Sequence, residues 1–483
     1  MKPHVIIIMA DQLRADVLGK GFTPNIDAIG ESGVRFDRAY CGCPLCVPAR
    51  GVVFTGTFPN RNGSLINPWE PSDSKAGDVK AEIENLYELM EDDWDSIHSG
   101  KQHLFTEGGK LEKRKDSKTR WFSTEESYKE FLKEHGKPMP GGPAFRMRVP
   151  EMVSGKATHI ASYSNANIGC YDPGEEFYFD KYFAEKALEG IRSRDTSRPL
   201  LLNAMFLAPH PPLHIPEPWF SRIGNEEFEL PENVGVYYPH QSPLQMYNLP
   251  GVVGACYDRA HWKEAWRVYL GLVAMLDEYV GQIIDELKKQ GIYEDSLIVF
   301  TSDHGEMLGS HGLFQKMCMY EEAARVPLSM KFPHGSYKGT KISQTVSHVD
   351  FMPTLCEFLD IHPSNSMDGT SLMPLISGTC KESEDGTAFI QYDGNGALSN
   401  FQRCIVKGNY KLIVDFFKDE TYYELYHLSE DRQETTNLMF DPEYDDRAKS
   451  LAAELARHMV ETADHLDFPS FQPEKFRKIY GGI

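Results

Sequence analysis

His4-Val5-Ile6-Ile7-Ile8-Met9-Ala10-Asp11-Gln12 reads as a strand buried on both faces that delivers two polar side chains at its carboxyl end. Parallel strands covered by helices have this composition, and open sheets of that kind place their sites beyond the carboxyl edge. The same pattern recurs twice. Residues 199–206 form an apolar run leading to Ala208-Pro209-His210, and residues 296–301 form another leading to Ser302-Asp303-His304-Gly305-Glu306. Several strands that each end in a polar cluster predict an α/β fold, a doubly wound, mostly parallel sheet flanked by helices.

The flanking segments agree with that architecture. Thr23-Pro24 opens a helix, with proline at the first helical position. Residues 262–289 carry Trp266, Leu270, Val273, Leu276, Val280, Ile284 and Leu287 on one stripe, a long core helix that Gly291 stops. A boundary falls between Gly369 and Glu384, so residues 1–375 are expected to form the main domain and 376–483 a smaller α+β subdomain with an antiparallel sheet. In the latter, 401–407 and 410–416 flank the hairpin signal Gly408-Asn409, 423–428 add a strand, and 442–464 close with a helix.

Composition narrows the function. The 483 residues carry a net charge of −21, which excludes nucleic acid as the natural partner and fits a small anion held in a focused site. Nine cysteines show no disulfide spacing. The apolar run Val5–Ile8 is too short for a signal sequence, and no later run is long enough for a membrane span. The expected setting is the cytoplasm, without nucleic-acid or membrane partners.

Chemistry concentrates in Cys41-Gly-Cys43-Pro-Leu-Cys46-Val-Pro48-Ala49-Arg50-Gly-Val-Val-Phe-Thr55-Gly56. A turn entering an apolar helix presents Cys46 at a helix N-terminus, with the fixed cation of Arg50 one turn on. Two other readings stand beside this one: Cys41, Cys43 and Cys46 as zinc ligands, which lack a second Cys/His pair nearby, and Cys46 as an inert core cysteine. Ser99-Gly-Lys101-Gln-His103-Leu104, if extended, points Lys101 and His103 to one face. Residues 106–178 look like insertions, whose Lys113, Arg114, Arg146 and Arg148 are candidates for a second anionic group on a substrate, or for a solvated face.

Cys46-x-Pro48-x-Arg50 with Thr55-Gly56 closely resembles the signature of the type I sulfatases, within the alkaline phosphatase-like superfamily. Thr23-Pro-Asn-Ile-Asp27, Gly100-Lys101-x-His103-Leu104, His210, Asp303-His304-Gly-Glu306, Lys316, His348-Val-Asp350 and Asp431…Asn437-Leu438 continue the resemblance along the chain. It implies that a maturation enzyme oxidises Cys46 to formylglycine, the nucleophile. It further implies that Asp11, Gln12, Cys46, Asp303 and His304 hold a divalent metal. Ca²⁺ is expected, with Mg²⁺ and Mn²⁺ left open by Gln12 and His304, where many family members carry Asp and Asn. Arg50, Lys101, His103, His210 and Lys316 are then the catalytic set, and Asn67 stands close enough to touch substrate. The expected reaction is hydrolysis of the sulfate ester of a small saccharide. Phosphonate monoester and phosphodiester hydrolases, which share the fold and the Asp-Gln and Asp-His pairs, are the nearest rival; a non-catalytic binding protein is a second. The oligomeric state is not legible.

Overall fold

Alternation along the first strand splits its side chains between two cores. Ile6, Ile8 and Ala10 pack with the helices Phe179–Arg192 and Arg259–Lys289, while Val5, Ile7 and Met9 pack with Val53, Phe54, Leu86 and Leu355 on the opposite face. All six are fully buried, as an enclosed parallel strand requires. The computed structural model describes residues 2–68, 76–153, 156–383, 385–417 and 420–481.

A nine-stranded sheet forms the centre, and across it the main path of strands begins at Thr340, Val34, Arg325, Ser296, His4, Leu200, Asp95 and Arg120. The strands His4–Asp11, Leu200–Pro209, Ser296–Ser302, Asp95–Gly100 and Arg120–Ser123 run parallel, and Arg325–Lys331 runs antiparallel to both of its neighbours. Register places Ala10 beside Ser302 and Asp11 beside Pro209. The three polar deliveries read from the sequence therefore meet at one edge. The long helix spans Arg259–Lys289 and ends before Gly291, whose φ is 71°.

The chain then builds a four-stranded antiparallel sheet from Thr387–Tyr392, Phe401–Lys407, Tyr410–Phe417 and Glu420–His427. The helix Asp445–Glu461 packs on it through Leu451, Ala452, Leu455 and Met459, which join Leu412, Val414 and Leu425 in a separate core. This sheet also grips the main one. The Gln391 amide donates to the Gly42 carbonyl at 3.0 Å, inside the turn that precedes Cys46. No helix among the described residues is long and apolar enough to cross a membrane.

Candidate active site

The helix Cys46–Thr55 starts where the sequence places it and is buried along its whole length. Gly56 closes it in the left-handed conformation, φ 67°. At its other end the Val47 amide donates to Asn67 Oδ1 at 3.0 Å, and Asn67 Nδ2 donates to Asn395 Oδ1 at 3.2 Å. Asn67 thus spends its amide on holding the helix N-terminus and links it to the C-terminal sheet.

Cys46 Sγ lies 3.1 Å from His304 Nε2 and 3.8 Å from Asp11 Oδ1. Ligand atoms of Asp11, Cys46, Asp303 and His304 all fall within 4.8 Å of one another, and all four residues are buried. Arg50 bridges the two carboxylates, with Nε to Asp303 Oδ2 at 3.1 Å and Nη2 to Asp11 Oδ2 at 3.3 Å, and donates Nη1 to the Lys101 carbonyl at 2.6 Å. Lys101 Nζ completes the group with an ion pair to Asp11.

Electrostatics follow from this crowding. Burial pushes the Asp11 carboxyl up, but Lys101, His210 and Arg50 outweigh it and hold the acid well below its usual range. Asp303 stays raised, by burial first and then by Asp11. Burial and Asp11 also push the Cys46 thiol up, yet Lys101, Lys316 and His304 bring it well below its ordinary value. The site favours an anion at position 46 and a further cation beside Asp303. Two carboxylates, an imidazole and an ionised ligand at 46 fit a hard divalent ion. The zinc alternative fails on geometry, since Cys41 and Cys43 are outside the cluster.

Gln12 has φ 67°, fixed by its amide donating to Asp303 Oδ1 at 3.1 Å and by its carbonyl accepting from Tyr269 Oη at 2.9 Å. Its carboxamide faces Glu306 through Nε2 and accepts from Lys316 Nζ at 2.5 Å through Oε1. Lys316 Nζ also donates to His210 Nε2 at 2.9 Å, while His210 Nδ1 faces the Pro211 carbonyl at 2.5 Å. Burial and then Lys316 lower the His210 pKa to about 4, so the ring is neutral.

Lys101 and His103 depart from the extended reading. The strand ends at Gly100, φ 119°, where a Cβ would strike the Met205 carbonyl, and His103 itself sits at φ 42°. The chain turns, so the two side chains do not share a strand face, yet both line one pocket as expected. The His103 ring lies tilted against Phe105, centroids 5.8 Å apart, and its buried Nδ1 has no hydrogen-bond partner among the described residues. Burial, followed by Lys101, keeps its pKa well below the usual value.

The insertion residues divide. Lys113 pairs with Glu126, and Arg114 with Glu88, Glu91 and Asp116, which makes them parts of a solvated ionic face. Arg146 and Arg148 are exposed on the strand Arg146–Val153. Glu306 was missed as a site residue: it is fully buried, meets Gln12, and accepts from the amides of Leu308 at 2.8 Å and Gln315 at 2.5 Å. Its place in the Asp303–Glu306 delivery was the available signal. Asp180 was missed too, since only the fold brings it to accept from the Leu207 and Ala208 amides, at 2.7 and 2.9 Å, just ahead of His210.

The family model described as Sulfatase matches residues 3–361, and one described as N-sulphoglucosamine sulphohydrolase, C-terminal, matches 309–461. An arylsulfatase of Clostridium perfringens is 25% identical, covering 95% of each chain. An N-acetylglucosamine-6-O-sulfatase of Bacteroides thetaiotaomicron is 27% identical, covering 93% of this chain and 85% of that one. The structure of the phosphonate monoester hydrolase of Agrobacterium radiobacter matches with a TM-score of 0.76 at 21% identity, covering 95% and 96%. At that identity the likeness concerns the fold.

Proposed function

This chain belongs to the sulfatase family and is a sulfuric ester hydrolase, and on that premise we propose that it cleaves the sulfate ester of a small sulfated saccharide, with Cys46 matured to formylglycine as the nucleophile. The observation that carries this reading is geometric: Cys46 opens a buried helix with its Sγ 3.1 Å from His304 Nε2 and 3.8 Å from Asp11 Oδ1, in one cluster with Asp303, and the nearby Lys101, Lys316 and His304 favour an anion at that position.

Asp11, Asp303, His304 and residue 46 would hold the divalent ion, and Gln12 would join them only by releasing Lys316 from its Oε1. The ion would supply Lewis-acid stabilisation of negative charge on the reacting oxygens. Formylglycine would supply an oxygen nucleophile and a route for releasing sulfate without an incoming water.

The remaining residues have separable tasks. Arg50 keeps Asp11 and Asp303 in register and fixes the Lys101 backbone. Lys101 balances charge on the sulfuryl oxygens. The ammonium of Lys316 has three protons, of which Gln12 Oε1 and His210 Nε2 take two. No other acceptor among the described residues takes the third, which leaves it for the leaving oxygen and makes Lys316 the general acid and the neutral His210 its orienting partner. His103, neutral and with an unpartnered Nδ1, is the group able to take a proton when sulfate is released. Asn67 acts on the helix terminus rather than on substrate.

A relative named as an N-acetylglucosamine-6-O-sulfatase supports a sugar sulfate as substrate. The phosphonate-cleaving reading rests on the fold likeness and on Gln12 and His304; the positive Lys101 beside His103 weighs toward sulfate. The sulfate ester and the methylphosphonate monoester of one phenol, assayed side by side, separate them. A kcat/KM favouring the sulfate is expected, and a preference for the phosphonate would overturn the assignment.

A further inference from the structure

Lys316 stands in an irregular stretch, Asp303 to Tyr320, and both of its neighbours have left-handed backbones although neither is glycine: φ is 72° at Gln315 and 74° at Met317. Such conformations persist only where the surroundings enforce them. Gln315 is held by its amide on Glu306 Oε1 and by Nε2 donating to the Ser164 carbonyl at 2.8 Å. Met317 is held from two sides. Its amide donates to the Pro44 carbonyl at 3.1 Å, in the turn before Cys46, and its carbonyl accepts from Gln402 Nε2 of the C-terminal sheet at 3.1 Å and from Asn248 Nδ2 at 3.4 Å. Two residues on, the Met319 carbonyl accepts from Lys411 Nζ at 2.9 Å. Gln402 and Lys411 lie on adjacent strands of the C-terminal antiparallel sheet, fully buried. Gln245 Nε2 fixes the Gln402 carboxamide at 3.3 Å, and Glu321 and Glu434 flank Lys411 at 2.8 and 2.7 Å.

We propose that Gln402, assisted by Lys411, is a positioning residue for Lys316: the C-terminal sheet grips the Met317 and Met319 carbonyls and so aims the Lys316 ammonium between Gln12 and His210. This rests on the role given to Lys316 above. Without the Gln402 donor, the Met317 carbonyl is left with the longer bond from Asn248 Nδ2, at 3.4 Å, the left-handed turn loosens, and the ammonium loses the geometry that directs its third proton at the leaving oxygen. Among the described residues, the side-chain hydrogen bonds and ion pairs of Gln402 and Lys411 go to Gln245, Met317, Met319, Glu321 and Glu434 and to none of the reacting cluster. The sheet acts through the backbone it holds.

The test uses Gln402→Met, which keeps the shape and removes the donor, on the full matured enzyme with aryl sulfates of graded phenol acidity. A mispositioned general acid penalises poor leaving groups most. The loss in kcat/KM is expected to rise from about 3-fold with the most acidic phenol to about 100-fold with the least, the latter the lower end of a general acid's contribution. In a Lys316→Ala background the same change should add less than about 2-fold, since its effect runs through Lys316. A loss of one size across the whole series, or an undiminished loss without Lys316, overturns the proposal. Should Gln402→Met not fold, Gln245→Leu, which frees the Gln402 carboxamide but leaves the donor, is expected to give the same gradient at smaller amplitude, and a flat series with it overturns the proposal equally. The two readings fail differently: a flat series for Lys316→Ala alone refutes the acid role, whereas a graded one with additive Gln402→Met refutes the positioning.

Discussion

Replacing Arg50 by methionine removes a fully buried guanidinium that touches Asp303 at 3.1 Å, Asp11 at 3.3 Å and the Lys101 carbonyl at 2.6 Å. Deleting one partner of a buried ion pair costs about 3–5 kcal/mol, because the other charge stays buried. Asp11 keeps Lys101 as a partner, so the loss falls mainly on Asp303, and the metal-free protein should lose about 4 kcal/mol. Against a total stability on the order of 5–15 kcal/mol, the variant still folds. Arg50→Lys keeps the charge but not the fork that spans three acceptors, and should lose about 2 kcal/mol. Urea unfolding in the presence of chelator reads both values, provided the slope m is unchanged. Adding a divalent ion should recover more of the methionine variant's loss than it adds to the wild type, because the ion takes over the neutralisation of Asp303. A methionine variant within about 1 kcal/mol of wild type, or one that gains no more from metal, would refute the reasoning.

Cys46→Ala should abolish turnover and leave the thermal midpoint within a few degrees of wild type, checked by aryl-sulfate assay and calorimetry; retained turnover contradicts the nucleophile. Ca²⁺ added to stripped protein at a hundred times its Kd should stabilise it by about 2.7 kcal/mol, and Asp303→Asn should remove that gain; an unchanged gain places the ion elsewhere. Burial raises the Asp180 carboxyl from 3.8 to about 7, against its two backbone donors. Its favourable contribution is therefore complete below pH 3.8 and is lost as the pH rises through 7. Over that window Asp180→Asn should gain on wild type by on the order of 4 kcal/mol, read from urea unfolding at several pH values; parallel curves would show that Asp180 titrates normally.

The parts legible in the sequence are those whose signal is local. Val5 to Met9 and the runs before His210 and Asp303 declare strands through uninterrupted apolar side chains, and their polar ends declare the edge where they converge. Gly408-Asn409 sets a hairpin in the same local way, and Gly56 a helix end. Features fixed by distant partners were not legible. The strand ends at Gly100, packed where a Cβ would strike the Met205 carbonyl, and Lys101 and His103 reach their common pocket along a turn, with His103 at φ 42°, rather than along a strand face. Asn67 is placed by the sequence within reach of substrate, and only the fold shows Val47 and Asn395 closing on its carboxamide. Lys113 and Arg114 read as free cations until Glu126, Glu88 and Glu91 fold against them. The strand Thr387–Tyr392 falls just past the boundary stretch and takes its identity from pairing with Phe401–Lys407. The reacting residues are marked by type and spacing, whereas those that hold them in place belong to the tertiary structure.

The most direct measurement is the mass of the peptide containing Cys46, from protein produced in a host that carries formylglycine-generating machinery. An aldehyde in place of the thiol is the expected result, and it would establish the nucleophile on which every assigned role depends. An intact thiol, in a host that matures a control sulfatase in parallel, would contradict the account at its centre.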